Sequence, residues 1–78
     1  MNKNPKLTKL RSERQKKEWS THYVAKLLGM SQSMYSYLEI GTERLSYKVA
    51  VDIAELFNTT PDDLFYDDFK EFYKDTII

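Results

Sequence analysis

Cysteine is absent, histidine occurs once (His22), and glycine and proline occur only twice each in 78 residues. Without thiols there is no disulfide framework, no thiolate nucleophile and no thiolate metal site. One histidine, no glycine-rich phosphate loop and no metal-ligand spacing argue against an enzyme, and no residue pattern calls for a metal or a cofactor. The carboxylates Asp62, Asp63, Asp67 and Asp68 are numerous, but they lack calcium-loop spacing. Long apolar runs are missing as well. Nothing approaches the roughly 20 apolar residues of a membrane span, and residues 1–6 lead into no apolar leader segment, so a soluble cytoplasmic protein without a membrane partner is expected. From the length of 78 residues, one small domain without a separate ligand-sensing domain is expected.

What is present is unevenly distributed. Twelve basic and twelve acidic side chains balance, but residues 1–48 hold ten Lys/Arg against four Asp/Glu and residues 49–78 hold two against eight, a division of +6 and −6. A basic first part can face a polyanion while an acidic second part stays away from it.

With so few breakers, most of the chain is predicted helical and no stretch alternates with the period of a strand. A first helix is expected over residues 6–17, with Leu7, Leu10 and Arg14 on one face. Ser20 is a good N-cap for a second, short helix through Val24, Ala25, Leu27 and Leu28, which Gly29 ends. Ser31 caps a third helix that Gly41 ends, with Tyr35 and Leu38 turned inward. Ser46 caps a fourth, whose Val49, Ala50, Ile53, Leu56 and Phe57 form the floor of the core. Thr60, Pro61, Asp62 and Asp63 are a strong helix start, placing acids on the positive end of the dipole. Residues 66–78 are expected to form a helical extension.

Residues 20–38 therefore form a short helix, a tight break and a second short helix with a polar outer face. In a helix-turn-helix the second helix enters the major groove and reads base edges from its first turns. Gln32, Ser33, Ser36 and Tyr37 occupy those positions. A glutamine amide can bond adenine bidentately, a serine donates or accepts, and a tyrosine can meet a thymine methyl or a phosphate. The face carries no formal charge, so phosphate contacts by flanking basic residues must supply affinity. Taken without the flanking motif, it would be an ordinary solvated helix surface.

The order of Leu10-Arg11, Trp19-Ser20-Thr21, residues 24–31, Tyr35, Leu38-Glu39, residues 46–57 and residues 60–65 resembles the Cro/repressor-type helix-turn-helix family of small DNA-binding regulators. That resemblance implies an all-α, compact five-helix lambda-repressor-like domain over residues 6–65. It would follow an N-terminal arm over residues 1–5 that holds Lys3, and precede the helical extension. It implies double-stranded DNA as partner and a repressor of phage, plasmid or bacterial type. Gln32, Ser33, Ser36 and Tyr37 match base-reading positions. Thr21 matches a phosphate-contacting position usually held by a longer glutamine, and His22, Lys26, Arg44 and Lys48 are the further phosphate candidates. Arg14 and Glu39 match a pair that forms an interhelical salt bridge in some members. Four positions depart from the family pattern: Glu18 stands where a glycine usually ends the first helix, Ile40 where an asparagine is common, Leu45 where a proline is common, and Glu43 in a loop that is often basic, which weakens the expected phosphate grip.

Phe65, Phe69, Phe72 and Thr76 recur at helical spacing near the C-terminus, with Tyr66, Tyr73 and Ile77 beside them. So many aromatics are hard to bury within so small a domain, so Phe65, Phe69, Phe72 and Tyr73 are expected to contribute to a homodimer interface. The alternative is a protein-interaction module, antitoxin-like or anti-repressor, that uses the same helix to bind a different protein.

Overall fold

The computed structural model describes residues 4–74, so Lys3, Thr76 and Ile77 lie outside the described residues. Within that range are five α-helices and no strand: α1 (Thr8–Lys16), α2 (Thr21–Leu28), α3 (Gln32–Ile40), α4 (Tyr47–Leu56) and α5 (Pro61–Tyr73). Four of the five start on a hydroxyl. Ser20 accepts from the Tyr23 N–H, Ser31 from Met34, Ser46 from Val49 and Thr60 from Asp63. Each such bond satisfies an amide that the helix itself cannot, and is worth about 1 kcal/mol. Gly29 and Gly41 close α2 and α3 in the left-handed region, with φ of 72° and 87°.

α1 departs from expectation. It begins at Thr8, because Leu7 is engaged elsewhere: its N–H donates to the Glu39 carbonyl at 2.9 Å, which lays residues 4–7 along the end of α3. No local side chain caps α1. The Asp68 carboxylate of α5 does so from 60 positions away, accepting from the Thr8 hydroxyl and, at 3.1 Å, from the Lys9 N–H. Asn4 and Pro5, from the expected N-terminal arm, are docked: Pro5 is buried and the Asn4 Nδ2 donates to the Gly41 carbonyl. The expected C-terminal extension is the continuation of α5, one helix running through Tyr66 to Tyr73 without a break.

The core gathers one apolar face from every helix. Leu10 of α1, Val24 of α2, Tyr35 of α3, Ile53 of α4 and Leu64 of α5 are almost fully buried, and Leu7 joins them from the N-terminal segment. At about 1.5–3 kcal/mol for each large apolar side chain taken out of water, this cluster is the main favourable contribution to folding. Trp19 seals one edge, its ring lying 5.4 Å from Tyr23 and 5.5 Å from Phe57.

One ion pair is built into this core. Glu39 is the buried charged residue of the described chain, its side chain 5% exposed, and Arg14 is 11% exposed. Arg14 Nε and Nη2 donate to the two carboxylate oxygens at 2.6 and 3.1 Å, and Nη1 donates to the Trp19 carbonyl at 2.8 Å. α1, the turn before α2 and the last turn of α3 thus share one guanidinium. The bond to Glu39 holds Arg14 above its ordinary pKa. Tyr35 packs beside the pair. Burial, reinforced by the Glu39 charge, keeps its phenol well above the usual range, and its hydroxyl has no hydrogen-bond partner among the described residues.

The turn between α1 and α2 keeps a left-handed residue where the sequence has no glycine: Glu18 adopts φ 57°. For a side chain that gains nothing from that conformation, the cost is about 1 kcal/mol. Glu18→Gly is therefore expected to stabilise the fold by about 1 kcal/mol, read as a raised urea midpoint with an unchanged slope. Arg14→Leu strands a buried carboxylate and is expected to cost about 3 kcal/mol or more in the same measurement, whereas replacing both partners by leucine recovers much of the loss.

Candidate nucleic-acid interface

α2 and α3 pack against each other across the Gly29 turn, and their caps hold the two N-terminal ends at the surface. On α3 the inner face is Tyr35, Leu38 and Glu39. The outer face presents Gln32, Ser33 and Tyr37, with Ser36 half-buried between them.

Gln32 is not a free side chain. Its Nε2 donates to Thr21 Oγ1 at 2.9 Å, tying the first residue of α3 to the first residue of α2. Thr21, short where the family pattern has a longer side chain, spends its hydroxyl on holding the glutamine amide, and that amide keeps its carbonyl oxygen and second N–H unused by this bond. His22 is exposed in the same first turn. Neither α2, α3 nor α4 has an acid in its first turn, in contrast to α5 with Asp62 and Asp63. Three helix starts are therefore left positive, and amide groups at such ends are suited to phosphate oxygens.

The basic residues are less uniformly placed than the sequence implies. Arg44 is exposed in the loop between α3 and α4. Lys48 is exposed in the first turn of α4, but its Nζ donates to Asp52 at 2.9 Å, which raises its pKa and engages the charge along the helix. Lys26 lies in the last turn of α2, where it complements the negative end of the dipole, five positions after Thr21. Two apolar side chains of α3 are also exposed, Met34 at 40% and Ile40 at 44%. Ile40 falls on one of the departures from the family pattern.

The aromatic end of α5 divides into two parts. Phe65 is 4% exposed and belongs to the chain's own core, so it offers almost no surface for an interface. Phe69 is half-buried, and Phe72 and Tyr73 are exposed and stack on each other edge to face at 4.9 Å. Tyr66 and Tyr47, 57% and 79% exposed, flank an open apolar groove lined by Leu45, Ala50, Pro61 and Phe69. The acids have structural duties: Asp62 and Asp63 start α5, and Asp68 caps α1. No group of them among the described residues could hold a metal ion, and no described helix is long and apolar enough to cross a membrane.

A family model described as helix-turn-helix matches residues 10–64. The HTH-type transcriptional regulator AnsR of Bacillus subtilis (strain 168) is 43% identical over 58 residues, which cover 74% of this chain and 50% of that protein. The chain thus spans about half the length of that curated relative. The crystal structure of the clp gene regulator ClgR from Corynebacterium glutamicum superposes with a TM-score of 0.73 over 88% of this chain and 73% of that one; at 19% identity the likeness is one of fold. The short α2, the left-handed Gly29 and the capped α3 all fall inside the matched stretch, and the chain belongs to the Cro/C1-type helix-turn-helix family.

Proposed function

We propose that the chain is a sequence-specific double-stranded DNA-binding transcriptional regulator of repressor type, working by binding rather than catalysis in the cytoplasm. α3 enters the major groove, and Gln32, Ser33, Ser36 and Tyr37 meet base edges there. The observation that carries this reading is the outward face of α3: polar, uncharged, and led by a glutamine whose amide is oriented by Thr21. A rotationally fixed amide loses less freedom on bonding a base than a solvated one. Phosphates are met by the open starts of α2 and α4, by Thr21 and His22, and by Lys26, Arg44 and Lys48. Lys48 exchanges Asp52 for a phosphate. The acidic α5 lies on a different part of the chain, consistent with the division of charge along the sequence.

The regulator acts as a homodimer through α5 and the start of α4. Exposed Tyr47 and Tyr66 beside an apolar groove, with Phe69, Phe72 and Tyr73 further along the helix, favour this contact. A two-fold pair would present two copies of α3 about one DNA turn, roughly 34 Å, apart.

Two measurements separate the roles. Gln32→Ala is expected to relax discrimination at one base position by about 1–3 kcal/mol. Arg44→Ala should instead weaken all sequences alike and lower the dependence of log affinity on log salt by about one phosphate contact. An unchanged sequence preference in Gln32→Ala would remove α3 from the groove. For the dimer, sedimentation equilibrium of Tyr66→Glu is expected to show monomers where the parent chain shows dimers, with duplexes carrying two half-sites losing more affinity than those carrying one. A parent chain that is monomeric at all concentrations reached would contradict that contact.

A further inference from the structure

The two segments that flank the family match, residues 4–9 and the part of α5 beyond residue 64, are packed on each other. Asn4, Pro5 and Thr8 on one side and Asp68, Glu71 and Phe72 on the other line a single groove. Asp68 is the joint. Its carboxylate caps α1 through the Thr8 hydroxyl and the Lys9 N–H, and Lys9 Nζ returns to α5 by donating to the Asp63 carbonyl at 2.6 Å. From that fixed point the chain runs back as a strap over the end of α3. The Leu7 N–H donates to the Glu39 carbonyl, and the Asn4 amide donates to the Gly41 carbonyl. The fit at Gly41 is closed: a Cβ there would stand 2.6 Å from the Asn4 carbonyl oxygen. α3 has no basic residue in its last turn, so the strap supplies donors that its terminal carbonyls lack.

We infer that Asp68 is a positioning residue for DNA reading: by anchoring the start of α1 it holds the strap, and the strap sets where the C-terminal end of α3 lies. This inference rests on α3 being the reading helix. It also links α5, the proposed dimer helix, to α3 by hydrogen bonds that add to the core contacts. A carboxylate capping a helix from another element contributes through two donors at once, and its loss frees both the helix start and the segment before it.

The test uses the full chain with two variants. Asp68→Ala removes both acceptors, and Asn4→Ala removes only the strap's side-chain bond to Gly41. Amide exchange is followed in the free protein at Leu7 and, as reference, at Val24 and Ile53. Affinity is measured for a duplex that the parent chain retains from a randomised pool. Asp68→Ala is expected to speed exchange at Leu7 more than at the reference amides and to weaken the duplex by roughly threefold to tenfold, within what a helix cap is worth. The Asn4→Ala loss, combined with Asp68→Ala, should be less than multiplicative, since both act through one strap. Uniform exchange changes, or fully multiplicative losses, would reduce Asp68 to a general stabiliser and overturn the inference. A parent chain that retains no sequence would instead defeat the reading of α3, while exchange at Leu7 still decides whether Asp68 holds the strap.

Discussion

A guanidinium buried between three chain segments sets the geometry on which the rest depends. Arg14 reaches Glu39 with two of its nitrogens and the Trp19 carbonyl with the third, so α1, the entry to α2 and the exit of α3 are held in one planar hydrogen-bond array. An array of this kind specifies direction as well as distance, because the fork of donors admits one orientation of its acceptors. Apolar burial supplies most of the favourable energy, yet it tolerates sliding. The ion pair does not. It converts a packed bundle into one in which α3 presents a chosen face, and Tyr35 and Leu38 beneath it leave Gln32, Ser33 and Tyr37 turned outward.

Charge follows the same division of labour. The helices proposed to approach DNA start without acids and end their neighbouring loop with Arg44, while the acids gather on α5. Those acids are not a passive solvated face: Asp62 and Asp63 stabilise the start of their own helix and Asp68 starts another. With α3 uncharged on its outer side, sequence preference and electrostatic affinity are carried by different residues, so one can change without the other.

Local signals in the sequence were legible because each has a local physical cause. Ser20, Ser31, Ser46 and Thr60 cap helices wherever an amide lacks a partner one turn on, and Gly29 and Gly41 take backbone conformations that other residues resist. The helical period marked Tyr35, Leu38 and Ile53 as core. What the sequence did not reveal depends on partners far along the chain. Nothing around Thr8 announces a cap held by Asp68, and nothing around Leu7 announces that its amide belongs to Glu39, so α1 is expected from residue 6 and not from Thr8. Glu18 is a different case: the turn forms without a glycine, with Glu18 at φ 57° and its N–H donating to the Gln15 carbonyl. The Gln32–Thr21 bond had a signal, two polar residues each opening a helix on either side of a tight turn, but pairing them required the angle between the helices. On α5 a regular aromatic stripe concealed a division between Phe65, which the core absorbs, and Tyr66, which it leaves outside.

The central claim is that the outer face of α3 reads DNA sequence. The measurement that tests it most directly is selection of the parent chain on a randomised duplex pool at near-physiological salt, followed by sequencing of the retained duplexes. Enrichment of one sequence, arranged as a palindrome with half-sites about one helical turn apart, is the predicted result. Retention of duplexes with the composition of the starting pool, by protein shown to be folded, would contradict it.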